Sequence, residues 1–182
     1  MITLILGGAR SGKSSFAVKV ARAVASKQPE CKLHYVATAI AFDQEMTRRI
    51  THHQQSREAG WSTHESPYEL EKVLSIFTAE DVVLVDCLTL WLNNIIFESG
   101  VDCDSDWVKK RIRQLVLSLT KTEARVILVS NEIGLGVVPQ GEISQWFSLL
   151  AGEMNQAIAD IASNVILTTA GLPLNLKGDI DA

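Results

Sequence analysis

The sequence predicts an α/β fold, a mostly parallel β-sheet flanked by helices on both faces. Five short runs rich in β-branched and aliphatic residues recur along the 182 residues. Longer amphipathic stretches separate them, as in strand-helix-strand units. None of the runs alternates strictly between apolar and polar, so each should be buried on both faces, as strands of a parallel sheet are.

In chain order the expected strands are ITLIL at 2–6, LHYVATA at 33–39, VVLVDC at 82–87, RVILVS at 125–130 and NVILTT at 164–169. Helices are expected at 13–27, 43–58, 67–78, 90–98, 105–121 and 140–162. In SPYEL, Ser66 would cap the third of these and Pro67 would take its first position, where a missing N–H costs nothing. The polar stretch FESGVDCDSD at 97–106 reads as a surface loop. A chain of this length suits one well-buried core, so residues 1–182 are expected to form a single domain.

Composition narrows the function. Seventeen Lys and Arg against 21 Asp and Glu give a net charge of -4, which argues against a general nucleic-acid binder while leaving room for a small anionic ligand. Cys31, Cys87 and Cys103 show no C-x-x-C spacing, so neither a disulfide framework nor a zinc ribbon is expected. MITLILGG is too short for a signal-peptide core and lacks a basic leader, and no apolar run approaches the roughly 20 residues that span a bilayer. A cytoplasmic protein without a membrane segment is the expectation.

The first turn carries the strongest motif. GGARSGKS, from Gly7 through Gly8, Ala9, Arg10, Ser11, Gly12 and Lys13 to Ser14, fits G-x-x-x-x-G-K-[ST] between a strand and a helix. Its glycines let successive N–H groups face inward at a helix N-terminus and form an anion-binding concavity. Lys13 would reach the β- and γ-phosphates, and the Ser14 hydroxyl would ligate Mg²⁺. Arg10 reads equally as a solvated side chain or a phosphate contact. The expected fold is thus P-loop NTPase-like.

Such a loop needs an acid at a neighbouring strand end, and Asp86 ends VVLVD there; the competing reading is that Asp86 caps the next helix. No N-K-x-D or T-K-x-D motif appears, which counts against a switch GTPase and favours a small-molecule kinase or nucleotidyl transferase. Within the expected helix at 43–58, Arg49, His53 and Arg57 fall at i, i+4 and i+8, so two guanidinium groups bracket one imidazole. His52 points about 100° away. Neighbouring cations keep an imidazole neutral and nucleophilic, yet the same spacing also fits a solvated basic face. No metal-ligand spacing is present, so Mg²⁺ with nucleotide is the one metal expected.

The chain resembles the bifunctional adenosylcobinamide kinase / adenosylcobinamide-phosphate guanylyltransferase family of cobalamin biosynthesis. The resemblance runs along nearly the whole length, through GGARSGKS, YVATA, D-Q-E-M-x-x-R-I-x-x-H, W-x-T-x-E, VDCLTLWLNN, VSNEIGLGVVP, G-E-M-N-Q and AGLPLNLK. It implies phosphorylation of the aminopropanol hydroxyl of adenosylcobinamide by ATP or GTP. It further implies transfer of GMP from GTP to adenosylcobinamide phosphate through a guanylyl-histidine, the nucleophile being His53, with release of pyrophosphate. Guanine-nucleotide contacts are implied for Ala37, Thr38, Ala39, Gln54, Gln55, Ser56, Arg57, Glu65 and Asp86. Glu65 is chemically apt, since a carboxylate can accept from guanine N1–H and the 2-amino group together; by itself the residue also reads as an ordinary surface acid.

The resemblance also implies a homotrimer, with the corrinoid as substrate and no tightly bound organic cofactor. Relatives commonly have Pro where this chain has Glu58, a difference bearing on the Gln54 to Arg57 contacts. Asn131 and Glu132 either line the corrinoid side or cap the segment after them. The rival function is a P-loop kinase for another small metabolite, in which His53 is inert.

Overall fold

The computed structural model describes residues 1–28, 30–41, 60–100, 105–134 and 141–179. In chain order these form β1 (Ile2–Gly7), α1 (Lys13–Ser26), β2 (Lys32–Ala37), β3 (Trp61–Glu65), α2 (Leu70–Leu74), β4 (Asp81–Asp86), α3 (Leu88–Glu98), α4 (Ser105–Lys121), β5 (Arg125–Asn131), α5 (Glu142–Ile161), β6 (Asn164–Thr169) and β7 (Leu172–Lys177). The seven strands make one sheet, ordered β3-β2-β4-β5-β1-β6-β7. Every pairing is parallel except β6 with β7. The expected α/β class is the one observed.

The central strands are buried on both faces, as their unbroken aliphatic runs require. On one face Ile5, Val82, Leu84, Ile127 and Val129 pack against Ala17, Val20 and Ala21 of α1, whose small side chains let the helix lie close to the sheet. On the other face Leu4, Val83, Val85, Val126 and Leu128 meet the remaining described helices. Helix α4 buries Val108, Ile112, Leu115 and Leu119, a stripe at helical spacing, and leaves its charged side outside. Trp91 of α3 is wholly buried, and its indole N–H donates to Tyr68 O at 2.8 Å.

Two strands were not expected. WSTHE forms β3, an edge strand whose hydroxyl and charged residues hide the strand signal. LPLNLK forms β7, exposed throughout, with Pro173 tolerated because the strand lies at an edge. The β6–β7 hairpin turns on Ala170 and Gly171, with φ 51° and 79°, the left-handed pair of a two-residue turn.

The helix expected at 67–78 is shortened to Leu70–Leu74, with Glu69 rather than Ser66 at its N-cap. Pro67 stays outside it because its carbonyl, like that of Thr38, accepts from the Asn94 side chain. The helix expected at 90–98 begins two residues earlier, at Leu88. The helix expected at 43–58 lies outside the described residues, as do residues 101–104 of the loop expected at 97–106; of the rest of that loop, 97–98 finish α3 and 105–106 begin α4.

Candidate nucleotide site

The carboxyl edge of an open parallel sheet is where α/β folds hold ligands. Strand register brings the chemistry-bearing residues to that edge. Ala37 at the end of β2 pairs with both Glu65 of β3 and Asp86 of β4, and Gly7 of β1 pairs with Asn131 of β5. Between Gly7 and α1 the chain makes the Gly-rich loop.

Two glycines in that loop are obligatory on steric grounds. A Cβ on Gly7 would stand 2.5 Å from Thr168 O and against Ser11 Oγ. Gly12 has φ +92°, and a Cβ there would also meet Gly171 Cα at 3.1 Å. The β6–β7 turn supports the loop from beneath, with Gly171 N–H donating to Ser11 O at 2.9 Å. Ser11 N–H and Lys13 Nζ both bond Gly8 O, at 3.2 Å each. Gly8, Ala9 and Arg10 are exposed, and Arg10 has φ 55°. No side chain caps the start of α1, so its first-turn N–H groups face the loop's concavity unspent.

Asp86 does not cap α3: the N-cap position belongs to Cys87. Its Oδ2 instead accepts from the Tyr35 hydroxyl at 3.0 Å. Burial pushes the neighbouring Cys87 thiol up to about 11, with the Asp86 charge adding and nearby Lys13 partly offsetting, so this cysteine stays an inert thiol. Thr38 is fully buried, and its hydroxyl donates to Cys87 O and accepts from Cys87 N–H, both at 2.8 Å. That hydroxyl is committed to bracing the turn after Asp86 rather than open to a ligand. Ala37 and Ala39 are half-buried beside it, and Glu65 is exposed at the sheet's edge.

Behind the edge, three side chains and the Asn131 main chain close a ring. Thr89 Oγ1 lies 3.3 Å from Ser130 Oγ and accepts Asn131 N–H at 2.7 Å. Ser130 Oγ donates to Asn155 Oδ1 at 2.8 Å, and Asn155 Nδ2 donates to Asn131 O at 3.4 Å. Glu132 accepts Gly134 N–H at 3.1 Å and so caps the turn that follows it. Among the described residues, Ser11 Oγ, Thr168 Oγ1 and Asn131 Oδ1 are buried without a hydrogen-bond partner. Orphaned buried oxygens around a cradle of N–H groups fit a polar, hydrated ligand.

Sequence reasoning missed Tyr35, the ring and the supporting turn. Their one advance signal was polar residues standing at the ends of otherwise aliphatic strands, as in VILVSN. Arg49, His52, His53, Gln54, Gln55, Ser56 and Arg57 lie outside the described residues.

A family model described as cobinamide kinase / cobinamide phosphate guanyltransferase matches residues 3–176. The chain belongs to that family. It is 45% identical to a bifunctional adenosylcobalamin biosynthesis protein, CobP, of Pseudomonas aeruginosa over 98% of this chain and 99% of that one. It is 34% identical to the bifunctional adenosylcobalamin biosynthesis protein CobU of Escherichia coli K12 over 97% of this chain and all of that one. A KaiC-like protein from Pyrococcus horikoshii OT3 is similar in structure at a TM-score of 0.49 and 12% identity, over 91% of this chain and 69% of that one. Membership of the cobinamide kinase / guanyltransferase family bears out the expected enzyme class, a kinase and guanylyltransferase of cobalamin biosynthesis.

Proposed function

We propose that the chain phosphorylates the aminopropanol hydroxyl of adenosylcobinamide with ATP or GTP, then passes GMP from GTP to the new phosphate through His53. The observation that carries this reading is that the P-loop, Asp86 and Glu65 meet at one carboxyl edge in a chain of this family. In the first step the hydroxyl oxygen bonds the γ-phosphorus and the bond to the β-phosphate oxygen breaks. The loop's N–H groups hold the phosphates, and Lys13 leaves Gly8 O to neutralise their charge. Exposed Arg10 adds a second cation at the loop's rim.

Ser14 and Asp86 are hard oxygen donors suited to Mg²⁺, and Asp86 retains one carboxylate oxygen beyond the one bonded to Tyr35. When bound with nucleotide, the ion supplies charge neutralisation on the phosphate oxygens. In the second step a His53 nitrogen bonds the α-phosphorus of GTP and pyrophosphate leaves. A phosphate oxygen of adenosylcobinamide phosphate then bonds the same phosphorus and frees His53, which gives adenosylcobinamide-GDP. Glu65 reads guanine N1–H and the 2-amino group, Ala37 and Ala39 line the nucleotide, Gln54, Gln55, Ser56 and Arg57 contact it, and Thr38 braces the edge.

The reading includes one 1–182 domain, one P-loop pocket shared by the two activities, a cytoplasmic setting and a homotrimer. Exposed Leu172, Leu174 and Leu176 along the edge strand β7 support a subunit contact. No described helix is long and apolar enough to cross a membrane. The test is mass spectrometry of adenosylcobinamide incubated with the protein, Mg²⁺ and ATP or GTP. A phosphorylated corrinoid is expected, with Lys13→Ala slower by about 10²–10³-fold, the usual cost of one lost charge-stabilising donor. No phosphorylated product with either nucleotide would contradict the reading.

A further inference from the structure

The geometry points to Asn131 as a catalytic residue of the kinase step, its carboxamide bridging the acceptor hydroxyl and the transferring phosphoryl group. This rests on the kinase reading above. β5 lies between β1, which leads into the P-loop, and β4, which ends in Asp86. Asn131 pairs with Gly7 at the root of the loop, while Asp86 pairs with Val129 two positions earlier. Asn131 thus ends the strand between the cradle and the carboxylate.

Strand alternation fixes the side-chain direction. Ile127 and Val129 pack on the α1 side, whereas Val126 and Leu128 pack on the opposite side. Ser130 follows Leu128, since its hydroxyl bonds Asn155 of α5 and lies beside Thr89 of α3. The Asn131 side chain therefore leaves on the α1 side, together with Asp86, whose partner Tyr35 packs there too.

The main chain of Asn131 is held while its carboxamide is idle. Its N–H is fixed to Thr89 Oγ1 and its carbonyl to Asn155 Nδ2, both from the far face. Its Oδ1 is buried and has no hydrogen-bond partner among the described residues. A buried acceptor left empty costs stability of its own, and a closed polar ring that fixes only the backbone behind it is a costly way to hold an unused side chain. A carboxamide offers one acceptor and two donors. It accepts the O–H of the attacking hydroxyl and donates to an oxygen of the γ-phosphoryl group, aligning the two for in-line transfer. It takes no proton; the hydroxyl proton passes to a phosphoryl oxygen and solvent as the new O–P bond forms. Thr89, Ser130 and Asn155 are positioning residues for this group.

The test compares wild type, Asn131→Ala and Asn131→Asp, measuring kcat and KM for adenosylcobinamide phosphorylation, nucleotide affinity and Tm. Asn131→Ala should lower kcat by about 10²-fold with nucleotide affinity within roughly 3-fold of wild type, the pattern of a contact made in the transition state. Asn131→Asp should lose at least as much, because it keeps the shape and places negative charge against the phosphoryl oxygens. Wild-type turnover with both variants within about 3-fold in kcat would overturn the assignment, as would a kcat loss matched by equal losses in nucleotide affinity and Tm. Absence of wild-type turnover would instead strike the kinase reading, and this assignment with it.

Discussion

The Tyr35 hydroxyl donates a 3.0 Å hydrogen bond to Asp86 Oδ2, linking the middle of β2 to the acid at the end of β4. This bond fixes the carboxylate's rotation and leaves its other oxygen for a ligand. Tyr35→Phe keeps the ring and its edge-on contact with Trp61. The Mg²⁺ concentration that half-saturates nucleotide binding should rise by about 10-fold, typical of losing a partner behind a metal-binding carboxylate. A Mg²⁺ titration with a fluorescent nucleotide reads this, and an unchanged midpoint would count against it.

Thr38 predicts a stability effect. Thr38→Val removes a hydroxyl that bonds both Cys87 N–H and Cys87 O; the carbonyl keeps the Trp91 N–H at 3.1 Å, while the buried Cys87 N–H is left unpaired. The cost should be about 2 kcal/mol. At about 2–4 °C per kcal/mol for a chain of this size, Tm should fall by roughly 4–8 °C. Thr38→Ser should recover most of it in a thermal melt.

A pH dependence arises on the far side of the sheet. His34 lies 3.0 Å from Asp81 Oδ1 and 3.1 Å from His64 Nε2. Burial, followed by repulsion from His34, lowers the His64 pKa against a smaller upward pull from Asp81. Burial raises Asp81, but its bonds from Thr78 and His34 together outweigh this and leave it below its ordinary value. In both cases the unfolded chain binds protons more readily than the folded one, so stability is lost as pH falls. The His64 part begins near the ordinary imidazole value of about 6.5, and the Asp81 part follows in the carboxylate range. His64→Gln should flatten the Tm profile between about pH 6.5 and 5, and an unaltered slope would contradict the assignment.

Ala170 offers the opposite sign. Its φ of 51° places an L side chain in the left-handed region that costs roughly 1 kcal/mol, a cost Asn or Gly reduces. Ala170→Asn should raise the denaturation midpoint by an amount equivalent to about 0.5–1 kcal/mol. No gain in a urea melt would show that the turn is relieved some other way.

The central sheet and the phosphate loop were legible because local signals there agree with the tertiary answer. The runs VVLV in β4 and VILV in β5 are buried on both faces and have no other stable use than as inner strands. The edge strands were not legible: WSTHE and LPLNLK carry Thr, His, Pro and Asn, and they pair only because the sheet offers an edge. The same holds for the site. Gly7 to Ser14 and Asp86 declare themselves by type and position. The ring of Thr89, Ser130, Asn131 and Asn155 joins segments far apart in sequence, and no spacing rule connects them. Pro67 misled because Pro at a helix start is a local preference, overridden here by the Asn94 side chain holding its carbonyl.

The central claim, that one chain both binds nucleotide phosphates and carries GMP on His53, is tested most directly by label transfer. The protein and Mg²⁺ are incubated with α-labelled or γ-labelled GTP, and retained label is tested for acid lability and alkali stability in wild type, His52→Ala and His53→Ala. Retention from the α position only, acid-labile, alkali-stable and lost in His53→Ala alone, is the predicted result. Absence of α label in the wild type, or its persistence in His53→Ala, would contradict the account.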